Sequence, residues 1–169
     1  VLLKELGPPP EDVLAHTIWV EGERIVTDVE RRLTRPEDIS VGGLVNAQPE
    51  SLQEVQHHEG NQNARAKASI ILVRMTPEQI RSQQGEGWDY NGILAFSKIC
   101  THVGCPIALY KQRTHHLLCP CHQSTFDLSD SGVVVFGPAN RRLPQLPITV
   151  DDEGYLVAVS DFQEPVGPS

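Results

Sequence analysis

Two short stretches of this 169-residue chain contain all four of its cysteines: ICTHVGCPIAL at 99–109 and LLCPCHQSTFD at 117–127. The first offers Cys100, His102 and Cys105, the second Cys119, Cys121 and His122. Thiolate and imidazole are donors for soft and borderline metals, so the pair of loops reads as a metal site. Six donors are more than a compact centre needs. Cys121 and His122 are neighbours, and adjacent side chains in an extended loop diverge, so one of the two points elsewhere. If His122 points in, Cys121 is left over. By the likeness of the two loops so is Cys105, and two leftover thiols can pair as a disulfide. Under that condition the remaining donors are Cys100, His102, Cys119 and His122.

A C-x-H pair followed by C-x-x-H is the two-thiolate, two-imidazole set of a Rieske [2Fe-2S] centre, in which His replaces Cys on one iron. Three other readings compete. A plant-type cluster held by four thiolates wants C-x4-C-x2-C; Cys100 and Cys105 satisfy the first gap, but thirteen residues then precede Cys119. A structural zinc site could use the same four donors, yet C-x-H is tighter than the usual zinc-knuckle spacing, and the two extra cysteines have no role in it. Two disulfides with bystander histidines would place both imidazoles at these offsets by accident.

CTHVGC and CPCHQS resemble the two cluster-binding loops of the Rieske iron-sulfur subunits of cytochrome bc1-type complexes. The wider stretch from about 68 to 166, with SKICTHVGCP, THHLLCPCHQSTFDL and LPQLPITVDDEGYLVA, is similar to the subunits of actinobacterial menaquinol:cytochrome c reductases. LGPPPED near the start shares this likeness more weakly. The resemblance implies that Cys100, His102, Cys119 and His122 hold the cluster and that Cys105 and Cys121 form the bridging disulfide. FGPAN at 136–140 resembles the family's Pro loop, with Asn140 where a second Pro is frequent. Ser124 resembles a serine that bonds a bridging sulfide, and His122 the histidine that meets the quinol and takes its proton. The implied function is one-electron transfer from menaquinol, bound at a cytochrome b subunit, to the haem of a c-type cytochrome. Quinol turnover would belong to the assembled oxidoreductase, with the fragment alone an electron carrier. The full-length protein would be membrane-anchored with its head on the external, positive side, where a disulfide persists. Another expectation is the electron-transfer subunit of a soluble oxidoreductase such as an arsenite oxidase.

The chemistry asks for this ligand set. Replacing two thiolates by two neutral imidazoles removes about two negative charges, so an added electron is repelled less and the potential rises. A ligand imidazole also has a second ring nitrogen able to exchange a proton. Two residues beyond Ser124, many high-potential members carry a Tyr that donates to a ligand sulfur; here stands Phe126, which cannot donate. The potential is therefore expected in the lower-middle part of the Rieske range of about −150 to +300 mV.

Short strands joined by Gly and Pro turns must position these loops. SIILVRM at 69–75, GILAFS at 92–97 and GVVVF at 132–136 read as strands. ITV and YLVAV flank the turn DDEG and read as a hairpin over 148–159. TPEQ at 76–79 matches a capping box and predicts one short helix. The fold class is all-β, an antiparallel sandwich or barrel-like base with a small inserted cluster-binding subdomain. The expected division is an N-terminal arm over 1–30, a head over 31–166 and the cluster-binding part at 98–146 within it. Residues 1–66 read as that arm plus one or two strands, and GPPPED as a spacer or exposed turn. A chain of this length buries roughly 70% of its unfolded surface without needing metal to fold, so the cysteine cluster requires its own explanation. The net charge of −8 argues against nucleic acid and suits a basic protein partner. The longest apolar run, IILV at 70–73, falls far short of the about 20 residues a membrane span needs. The opening Val1 leads to the expectation of an anchoring segment upstream. Other histidines have plainer roles: His57 and His58 solvated, His115 and His116 in surface or packing positions. Trp88 and Tyr90 are expected to pack against the sheet, and Arg141 and Arg142 to form a solvated surface pair.

Overall fold

The computed structural model describes residues 17–52 and 66–168. The strands among them are β1 (Ile25–Thr27), β2 (Leu44–Pro49), β3 (Ile70–Arg74), β4 (Ile93–Ser97), β5 (Leu109–Lys111), β6 (His116–Leu118), β7 (Thr125–Asp127), β8 (Val133–Phe136), β9 (Gln145–Leu146), β10 (Ile148–Val150) and β11 (Leu156–Ala158). They form a five-stranded sheet in the order β1-β2-β3-β4-β9, a four-stranded sheet β5-β6-β7-β8 and the hairpin β10-β11. Every pairing between these strands is antiparallel, as the all-β reading requires.

The continuous apolar run of β3 has a simple cause. Side chains alternate across a strand, and here both faces are covered. Ile70 and Leu72, with Ile93 and Ala95 of β4, face a core completed by Trp19, Ile148 and Leu156. Ile71 and Val73, with Leu94 and Phe96, face the opposite way into a second core with Leu117, Phe126, Leu128 and Leu143. Cys100 and Cys119 belong to this second core. The two cysteine loops are thus packed directly on the back of the base sheet, through β3 and β4.

A connecting stretch after β3 stitches the two sheets together. Arg81 donates its backbone N–H to Ser129 O at 2.7 Å, and Ser82 forms an isolated bridge with Asp130. Gln84 and Gln145 bond each other reciprocally, Gln84 N to Gln145 Oε1 at 3.1 Å and Gln145 N to Gln84 Oε1 at 2.9 Å. Gln84 Nε2 also reaches Leu143 O at 2.6 Å.

Three expectations need correction. The arm expected over 1–30 cannot extend through 17–30, because Trp19 and Ile25 are buried and Ile25 pairs with Pro49 in the sheet. The TPEQ helix is a single 3-10 turn, Pro77–Gln79: Gln79 Oε1 does accept the Thr76 N–H at 2.9 Å, but Ile80 is already extended. Arg141 and Arg142 are not a solvated pair; both are half-buried and bonded to the segment 164–167. Tyr90 packs against the first core as expected, whereas Trp88 is half-buried over Gly85 in the connecting stretch. His57, His58 and GPPPED lie outside the described residues.

Candidate metal centre

The first loop connects β4 to β5 and the second β6 to β7, and their backbones fold alike. Cys100 N–H donates to Cys105 O at 2.9 Å, and Gly104 N–H returns to Cys100 O at 3.1 Å. In the second loop Cys119 N–H donates to Ser124 O at 2.9 Å, and Gln123 N–H returns to Cys119 O at 2.9 Å. In both, the residue four beyond the leading cysteine is left-handed, Gly104 at φ 83° and Gln123 at φ 64°. Such a turn costs glycine nothing and strains glutamine. The likeness ends at the side chains, since the first histidine stands two residues past its cysteine and the second three.

Cys105 and Cys121 form a disulfide, which clasps the loops together. Cys100 and Cys119 are free thiols, and both are buried. The Sγ atoms of Cys105, Cys119 and Cys121 lie within 4.8 Å of one another, but two of the three are consumed by their mutual bond and supply no thiolate. Burial pushes the Cys100 thiol up, and the nearby Cys119 thiol pushes the same way, while the backbone N–H of His102 pulls it down. Two thiolates side by side in an apolar core need a cation between them.

The rings of His102 and His122 meet edge to face with centroids 5.0 Å apart. The backbone N–H of His102 donates to Cys100 Sγ at 3.5 Å. His102 Nδ1 is buried without a hydrogen-bond partner, a state that costs about 1–3 kcal/mol unless a ligand takes the lone pair. His122 is exposed, whereas His102 is half-buried. These donors fit a [2Fe-2S] group, which takes two thiolates and two imidazoles: two buried free thiols, an orphaned ring nitrogen and a facing imidazole are all here.

A third segment covers the loops. Ser124 is fully buried; its Oγ accepts the Ala139 N–H at 3.1 Å and keeps its own O–H to donate. Gly137 lies so close that a Cβ there would stand 2.6 Å from Ser124 Cα, and its φ of 93° also demands glycine. On the other side the Thr101 hydroxyl donates to Arg141 O at 2.7 Å. The 137–141 segment therefore ties to both cysteine loops. Sequence reasoning singled out FGPAN and Ser124 but missed Thr101 and the anchoring by Arg141, for which the motif pattern carried no signal. His115 and His116 are elsewhere: His115 Nδ1 is 3.4 Å from Tyr110 Oη, and His116 Nε2 is 3.9 Å from the Asp127 carboxylate.

The family model described as Rieske [2Fe-2S] domain matches residues 50–147, which include both loops and the covering segment. The chain belongs to this family. It is 54% identical over 169 residues to the cytochrome bc1 complex Rieske iron-sulfur subunit of Streptomyces coelicolor, covering 100% of this chain and 47% of that protein. Against the Streptomyces lividans subunit of the same name it is 53% identical over 166 residues, covering 98% and 96%. The chain therefore spans about half of the first relative and nearly all of the second. Among solved structures, the soluble domain of Rieske protein II from Sulfolobus acidocaldarius aligns with a TM-score of 0.44 and 32% identity, over 54% of this chain and 61% of that one. The Rieske domain brings its cofactor with it, a [2Fe-2S] cluster.

Proposed function

We propose that this Rieske domain carries single electrons from menaquinol, held by a cytochrome b subunit, to the haem of a c-type cytochrome, as part of a quinol:cytochrome c oxidoreductase. Cys100, His102, Cys119 and His122 are the ligands in this reading, and the stretch 98–146 is the cluster-binding subdomain. When bound, the [2Fe-2S] group supplies a one-electron acceptor of potential raised by imidazole ligation.

The chain's residues divide the remaining work. Cys100 and Cys119 contribute negative charge from inside the second core, where water cannot compete for it. His102 offers Nδ1, buried and without a hydrogen-bond partner, as its ligand atom. His122 is the exposed imidazole, so its outer ring nitrogen is the atom that receives the quinol's proton. The Ser124 hydroxyl, whose Oγ accepts the Ala139 N–H, keeps an O–H that would donate to a sulfur of the bound group and favour the more negative, reduced state. The Cys105–Cys121 bridge joins the two loops, and the 137–141 segment ties to both through Ser124 and Thr101.

The observation that carries the proposal is the asymmetry of the imidazole pair, one ring with an orphaned buried nitrogen and the other open to a partner. The relatives' naming as bc1 complex subunits supports the choice of quinol and cytochrome as partners. Among the described residues no helix is long and apolar enough to cross a membrane. The anchored location on the external side is thus part of the proposal, supported by the disulfide.

Low-temperature EPR on the protein reduced with ascorbate, then with dithionite, tests it. A rhombic signal with the low average g-value of a His-ligated cluster, already present with ascorbate, is the expected result. A signal of the all-cysteine type would refute the ligand set; a cluster reduced only by dithionite would refute the quinol donor.

A further inference from the structure

The two arginines that follow the covering segment hold down a part of the chain far away in sequence. Arg141 Nη1 donates to Pro165 O at 3.1 Å, and Nη2 donates to Gly167 O. Arg142 grips the Glu164 carboxylate with Nε at 3.0 and 3.2 Å and with Nη2. Between these grips Val166 is 3% exposed and belongs to the first core. The segment 164–167 is therefore a strap, pinned at both ends by side chains and in the middle by an apolar plug.

The strap lies beneath the first ligand loop. A Cβ at Gly167 would stand 3.3 Å from Ile99 Cγ2, so the strap's backbone abuts the residue before Cys100. A Cβ at Gly104 would meet Pro168 Cδ at 3.4 Å, which brings the chain just past the strap against the other end of the same loop. Arg141 closes the circuit, because its carbonyl accepts the Thr101 hydroxyl while its guanidinium holds the strap. The second loop has no such support from this segment; it is tied through Ser124 and Ala139.

We propose that Arg141 is a positioning residue for Cys100 and His102, acting through the strap at 164–167 and the Thr101 bond. The inference rests on the ligand reading given above. Its physical basis is charge and rigidity: a guanidinium fork satisfies two carbonyls at once and stays charged at every working pH. Releasing it frees the first loop to move against the second while leaving both sheets paired.

Arg141→Ala and Arg141→Lys, in the cluster-loaded chain, test this by hydrogen exchange and redox titration. Backbone amides of 100–107 are expected to exchange about tenfold faster in Arg141→Ala, the equivalent of one hydrogen bond to a charged donor, with 117–124 unchanged. The midpoint potential shifts in the same variant, and Arg141→Lys, able to reach one carbonyl, restores part of both effects. Thr101→Val added to Arg141→Ala produces less than the sum of the two single shifts, because both act on one linkage. Should Arg141→Ala fail to fold, Glu164→Gln loosens the strap's other end and is expected to give the same pattern at smaller size. Equal exchange in 100–107 and an unmoved potential would overturn the proposal, as would a rise spread evenly over both loops. If the unmodified protein itself lacked a His-ligated spectrum, the ligand reading would have failed instead, and the two failures are distinguishable.

Discussion

Removing the Cys105–Cys121 bridge has an effect that can be sized in advance. The cysteines are 16 residues apart and enclose β5 and β6, so the bond closes one small loop in the unfolded chain. Chain-entropy reasoning assigns about 3 kcal/mol to a loop of that length. Against a typical domain stability of about 5–15 kcal/mol this is a large fraction. For a chain of this size it corresponds to a fall of about 6–12 °C in Tm. Both cysteines should be replaced by Ala together, since a single replacement leaves a free thiol near Cys119 that could compete as a ligand. Urea unfolding of the double variant and the parent, each with and without cluster, separates the contributions, because a group bound only by the folded state adds its own stability. The cluster-free pair should differ by about 3 kcal/mol, with a somewhat larger m-value in the double variant because its unfolded chain is less compact, and the loaded pair by more, since the bridge also clasps the two loops. A difference below about 1 kcal/mol between the cluster-free proteins would refute the argument: the 105–121 loop would then be as constrained in the unfolded chain without the bond as with it.

His102→Ala should abolish cluster incorporation, read as loss of visible absorbance, whereas His115→Ala and His116→Ala should incorporate it fully, because their rings engage Tyr110 and Asp127 instead. Phe126→Tyr should raise the midpoint potential by about 20–60 mV, the one-electron equivalent of a hydrogen bond of about 0.5–1.5 kcal/mol to a ligand sulfur, and a redox titration showing no rise would rule out that tuning. Tyr110 titrates late: burial, then the nearby Asp127 charge, pushes its phenol up to about 12. Its folded pKa is raised, so the stability it contributes is fully present below about pH 10 and is lost as the pH climbs toward 12; a phenolate absorbance titration should lose its latest step in Tyr110→Phe.

What could be read from the sequence followed from how local its cause was. β3, β4, β8 and the β10-β11 hairpin were legible because each is a run of apolar or branched residues bounded by turn formers, and the all-β class followed from them. β5, β6 and β7 were not. Their three-residue spans, such as LYK and HLL, carry too few residues for a period to register, and they exist because the loops they flank must be paired. β1 was hidden for another reason: IVT sits between acidic and basic turns and becomes a strand only by pairing with β2 across an intervening turn. The candidate metal donors stood out because their residue types and C-x-H and C-x-x-H offsets are visible in the sequence itself. Their supports did not, since Thr101 bonds a backbone carbonyl 40 positions on and Arg141 bonds carbonyls 24 and 26 positions on, and a carbonyl has no residue type to recognise. The same division applies to the cores. Ile70 and Ile71 look alike in sequence, yet one faces the base hairpin and the other Cys100 and Cys119, a distinction made only when β3 is covered on both sides. The chemistry of the centre is thus written in residue identity, whereas its rigidity depends on backbone acceptors supplied by distant turns. Substitutions that loosen these backbone anchors should therefore act on the centre through loop position, and Arg141 joins two of them, accepting from Thr101 and donating to Pro165 and Gly167.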